Sequence, residues 1–251
     1  MRAKVPGLLV IMGLAGSMVL AACGSSPGGA AAGNGSAAGG SATVIKSDGN
    51  YDMVKLAYNE QIFGVSGQQC GSGPGPCFDQ GGYSLDPADP ALPNKGAAGE
   101  VKPGGIPFWF GGNGGGKGNK TGVNFGPEEG GSVTISAPGN SYKTMYILGS
   151  AGNGGSPATI TFNYADGSKD TATQNFDDWC SAPADGATAY TLTDRMNPAG
   201  AQDPGCANSV FLDTYTVAIP GATKALKSIN FSSSGDPGNF EPEILAITLQ
   251  K

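Results

Sequence analysis

Glycine and proline punctuate this chain every few positions, 44 and 18 of its 251 residues. In a helix interior each glycine costs about 1 kcal/mol relative to alanine and each proline about 3 kcal/mol. No long segment carries apolar residues at the i, i+3, i+4, i+7 spacing of an amphipathic helix. A helical fold is therefore not expected, and short strands joined by turns remain.

The clearest strand runs from Ala158 to Tyr164. Ile160, Phe162 and Tyr164 fall on one face and Thr159, Thr161 and Asn163 on the other. Asp166-Gly167 supplies a hairpin turn and Lys169 to Phe176 runs back. Further strands are expected at Val54 to Tyr58, Ile106 to Phe110, Ser132 to Ser136, Thr144 to Leu148, Val210 to Ile219, Ala225 to Phe231 and Ile244 to Leu249. The last is apolar on both faces, which predicts a central strand. Strands of this length and spacing predict an all-β fold, an antiparallel β-sandwich of jelly-roll type, forming one domain over residues 44–251.

The N-terminus predicts export. Arg2 and Lys4 precede an apolar stretch from Val5 to Leu20, about 16 residues against the roughly 20 needed to span a bilayer. Leu20-Ala21-Ala22-Cys23-Gly24 resembles the lipobox of bacterial lipoproteins. That resemblance implies a signal peptide over residues 1–22, removal before Cys23, and acyl chains on the Cys23 thiol. Each buried methylene of such a chain contributes about 0.8 kcal/mol, so several chains anchor firmly to a membrane. Residues 23–43 are nearly all Gly, Ala, Ser, Pro and Asn, a composition that predicts a tether. The expected location is extracytoplasmic, lipid-anchored to a bacterial cell membrane.

The net charge of -6 argues against nucleic acid as a partner, because that needs clustered Lys and Arg. Of five cysteines, setting Cys23 aside for lipid leaves an even number in an oxidising compartment. Three pairings are possible, and proximity favours Cys70 with Cys77 and Cys180 with Cys206. A zinc site is the rival, but the chain has no histidine, and no metal or cofactor is expected. The same absence removes Ser-His-Asp and Cys-His catalysis. A two-carboxylate glycosidase needs no histidine, and Asp166, Asp170, Asp177, Asp178, Glu128 and Glu129 could serve it. The plainer expectation is that Asp166 makes a turn, the others are solvated, and the protein is not an enzyme.

Several segments, in order, resemble the jelly-roll modules appended to secreted actinobacterial glycoside hydrolases, including α-mannosidase-type enzymes. They are Phe78 to Ser84, Ile106 to Phe110, Tyr146 to Gly154, Thr159 to Ser168, Phe176-Asp177-Asp178-Trp179, and Lys224 to Ile229 leading to Ile244–Leu249. The resemblance covers about Tyr58 to the end. It implies a non-catalytic module that holds carbohydrate or braces a neighbouring domain. No enzyme domain is expected within these 251 residues, and the cysteine-bearing segments depart from the pattern.

Sugar-binding modules present aromatic rings to pyranose C–H groups beside amides and charged groups that bond hydroxyls. In an Ile106 to Phe110 strand, Trp109 alternates away from Ile106, Phe108 and Phe110. Trp109 therefore leads the candidates, with Asn113, Lys117 and Asn119 on the adjoining loop as polar partners. Gly111 to Asn119 almost spells a phosphate loop, but Gly118 replaces the magnesium-binding Ser or Thr and no helix follows. Trp179, beside Cys180, is expected to pack, while Tyr51 and Tyr83 flank loops. The alternative function is a structural or protein-interaction envelope lipoprotein without sugar binding.

Overall fold

A computed structural model describes residues 44–64, 78–79, 81–112, 119–127, 130–233 and 241–251. The strands are β1 (Val44–Asp48), β2 (Tyr51–Val54), β3 (Ser84–Leu85), β4 (Gly99–Val101), β5 (Phe108–Phe110), β6 (Val123–Asn124), β7 (Ser132–Ser136) and β8 (Thr144–Gly152). They continue as β9 (Ser156–Tyr164), β10 (Lys169–Phe176), β11 (Ala187–Leu192), β12 (Arg195–Met196), β13 (Gln202–Asp203), β14 (Val210–Ala218), β15 (Leu226–Ser233) and β16 (Glu241–Gln250).

Two antiparallel sheets form an all-β sandwich. The larger runs β1-β2-β16-β8-β14-β11, with β6 pairing β16 beyond the reach of β2. The smaller runs β10-β9-β15-β7. Between them lies one apolar core, to which β9 gives Ile160, Phe162 and Tyr164, β15 gives Ile229 and Phe231, and β16 gives Ile244, Ile247 and Leu249. The predicted hairpin is present in register, Thr171 opposite Thr161 and Thr173 opposite Thr159, with Gly167 at φ +84° and Asp166 accepting the Ser168 N–H.

A second core covers the opposite face of the larger sheet. Phe63, Phe78, Leu85, Phe108, Phe110 and Trp179 pack there onto Leu148, Leu212, Leu245 and Ala246. A register shift between Ile244 and Ala246 turns β16 so that the consecutive Leu245 and Ala246 both face this second core, while Ile244 and Ile247 face the first. β16 is thus buried on both faces, as its apolar pattern predicts.

Some boundaries differ from expectation. The strand expected at Val54 to Tyr58 ends at Val54, and beyond it Leu56 and Tyr58 pack against the core between the sheets without joining a ladder. The strand expected from Ile106 begins at Phe108: Pro107 has no N–H to give a ladder, and its carbonyl accepts the Thr248 hydroxyl at 2.5 Å. The segment bracketed by Cys180 and Cys206, in which no strand is expected from the sequence, contains β11, an edge strand of the larger sheet, and the short β12-β13 pair.

Candidate functional site

Trp109 is carried by the β4-β5 ribbon, which lies against β16 and β2. Phe108 and Phe110 are 0 % and 1 % exposed in the second core, and Phe110 meets Phe63 edge-on at 6.0 Å. Trp109 between them is half-buried, as strand alternation requires. It faces away from the residues expected to be inward, but those residues enter the second core and not the one between the sheets. Directly across the ribbon stands Glu100. Its carboxylate bonds Lys46 and also Lys102 at 2.9 Å. Hydrogen bonds from those two lysines hold the carboxyl below its usual range. The indole therefore sits next to a fixed anion bracketed by two cations.

Asn119 is exposed at the far end of the connection that follows β5. Asn113 and Lys117 lie outside the described residues, as do Cys23, Cys70, Cys77, Glu128 and Glu129.

The outer face of the larger sheet adds residues that sequence reasoning did not rank. Tyr51 and Thr144 are the cross-strand neighbours of Gln250. The Tyr146 hydroxyl donates to Gln250 Oε1 at 3.0 Å, and the Tyr51 and Tyr146 rings are 6.2 Å apart at 59°. Both tyrosines are half-buried, and Thr216 beside Tyr146 is exposed. Burial, followed by the nearby Tyr51, pushes the Tyr146 phenol up. Two rings and an oriented amide thus share one sheet face with the ribbon that carries Trp109. The alternation Thr144-Met145-Tyr146-Ile147 contained the signal that Tyr146 opposes the main core.

The chain matches no protein-family model and no curated protein.

Trp179 packs, as expected. It is 1 % exposed and stacks on Phe78 at 4.2 Å and 14°. Cys180 and Cys206 form the expected disulfide. The Arg195 guanidinium lies 3.8 Å over the Tyr83 ring and brings Nη1 to 3.8 Å and 3.6 Å from the two sulfurs. Tyr83 is occupied by this stack.

Three of the carboxylates considered for hydrolysis, Asp166, Asp177 and Asp178, hold backbone in place. Asp166 bonds the Ser168 N–H and hydroxyl, and Asp178 accepts the N–H groups of Gly154 and Cys180. Asp170 sits 4.0 Å from Lys224. Asp177 departs from the expectation of a solvated charge. It is 8 % exposed and accepts the N–H groups of Ala184, Asp185 and Gly186. These backbone bonds replace water, which is why it can be buried. Among the described residues no three Asp, Glu, Cys or His side chains are grouped to hold a metal ion.

Proposed function

We propose that this protein is a lipid-anchored extracytoplasmic lipoprotein whose sandwich binds carbohydrate or cell-wall polysaccharide without turning it over. The observation that carries the reading is Trp109, a half-exposed indole on a strand whose two flanking phenylalanines are locked in a core. A ring held this way loses little entropy on binding. Glu100, Lys46 and Lys102 beside it offer both acceptors and donors for sugar hydroxyls. Tyr51, Tyr146 and Gln250 extend the same kind of surface across the sheet. The order β2-β16-β8-β14 facing β7-β15-β9-β10 supports the jelly-roll reading. The basic start, apolar stretch and Leu20 to Cys23 motif support the anchor.

The chain has two tryptophans, and Trp179 is inaccessible, so a ligand-induced change in tryptophan emission reports on Trp109. Titration with soluble polysaccharides will shift or quench that emission. Trp109→Ala will weaken binding at least tenfold, about 1.4 kcal/mol, with the fold intact. Unchanged affinity in that variant contradicts the reading. For the anchor, Cys23→Ala will give an unprocessed precursor or a product without lipid. Detergent partitioning identical to wild type would contradict it.

A further inference from the structure

Asp213 is the least comfortable side chain among the described residues. It lies on β14 facing the core between the sheets, on the same side as Tyr215 and Val217, and is 0 % exposed. Its carboxyl oxygens have no hydrogen-bond partner of ordinary geometry, and the Tyr215 hydroxyl is the one polar group that favours its ionised form. Across β8 stands Gly149, which has no side chain, and across β11 stands Thr188. No ion pair among the described residues involves it.

The charged and titratable groups that face Asp213 are Asp177 and Tyr215. Asp177 is the carboxylate that accepts the N–H groups of Ala184, Asp185 and Gly186. The Tyr215 hydroxyl accepts the Asp177 N–H at 2.9 Å. Gly186 closes over the pair: a Cβ there would lie 2.8 Å from the Tyr215 ring and 3.1 Å from Asp213 Cβ. The segment 181–186 is otherwise exposed, except that Pro183 and Gly186 are half-buried, and it leads directly into edge strand β11. Its own acid, Asp185, is exposed and bonded to Asn175 at 3.1 Å.

We propose that Asp213 and Asp177 form a proton-operated latch that closes segment 181–186 and the start of β11 onto the sandwich. With a proton on Asp213, one neutral and one charged carboxyl share the site and the segment stays down on Asp177. Loss of that proton puts two like charges in a buried space where no described cation pairs with Asp213. The charge is relieved when the segment lifts and water reaches Asp213. The device needs only a proton and a covering segment that costs little to open, which an edge strand and an exposed loop provide.

The direction of the effect follows from linkage. Burial, then the Asp177 charge, push the Asp213 carboxyl up to about 7, with the Tyr215 hydroxyl acting the other way. In the open state it is solvated and titrates near the ordinary value of about 3.9. Closure is therefore strongest in acid. It weakens between these two values, and no further change is expected above the higher one.

Hydrogen exchange of the full-length chain, corrected for the intrinsic pH dependence of amide exchange, tests this directly. The amides of Ala184, Asp185 and Gly186 are the reporters. Their corrected protection will fall by up to tenfold per pH unit from pH 5 to about 7 and then level off, while the β9-β15 amides stay constant. Asp213→Asn, neutral at every pH, will give a flat profile. A flat wild-type profile at these three amides, or a slope shared by β9 and β15, overturns the latch even if the variant does not fold. An unchanged slope in Asp213→Asn also overturns it.

Discussion

A chain ending before Glu241 will fail to fold. β16 pairs with β2, β8 and β6 and is buried along all but its last residue. Removing it takes Ile244, Ile247 and Leu249 from the first core and Leu245 and Ala246 from the second. At about 1.5–3 kcal/mol for each of the four large aliphatics, the loss is roughly 6–12 kcal/mol. That is of the order of the whole net stability of a domain, about 5–15 kcal/mol. It also opens the ladders of three neighbouring strands. Circular dichroism and amide NMR dispersion will show an unfolded or aggregated chain, and a cooperative native-like melt would refute the central role of β16.

Gly149→Ala will destabilise more than any other single methyl added at a described glycine. A Cβ at Gly149 would lie 2.1 Å from the Glu243 carbonyl oxygen, against a backbone atom that cannot rotate away. Gly149 sits in the middle of β8, opposite Ile244 on one side and Asp213 on the other. Relief requires β16 to move off β8, which disturbs both cores at once. The expected cost is at least about 4 kcal/mol, at the upper end of single substitutions. In a domain of this size that lowers Tm by roughly 8–16 °C. A drop of under about 3 °C would mean that the β8-β16 contact is looser than described.

Both predictions rest on features with different visibility in the sequence. The role of β16 was legible, because Ile244–Leu249 is apolar on both faces and only a strand covered on both sides tolerates that. The β9-β10 hairpin was legible for the opposite reason, a strict alternation with Asp166-Gly167 at the turn. The Cys180–Cys206 link followed from proximity and an even count. The second core was not legible. Phe63, Phe78, Leu85 and Leu92 are separated by glycine, proline and polar residues, with no period to assign them a face. β11 escaped because it is an edge strand, exposed or half-buried except at Leu192.

The site divides in the same way. Trp109 could be placed outward from its neighbours alone, since Phe108 and Phe110 fix the alternation. The Tyr146–Gln250 contact joins residues 104 positions apart, and no local pattern reveals it. One acid within Phe211-Leu212-Asp213-Thr214-Tyr215 reads as a polar position on a strand, which hides the burial of Asp213. Its burial arises from a loop that returns over it, held by the equally buried Asp177.

Carbohydrate binding through Trp109 is tested by a glycan array probed with the full-length chain carrying Cys23→Ser, beside the same protein with Trp109→Ala. A limited set of glycans is expected to bind the first protein, and the second to lose most of that signal. Silence across the array, or equal binding by both proteins, would contradict it.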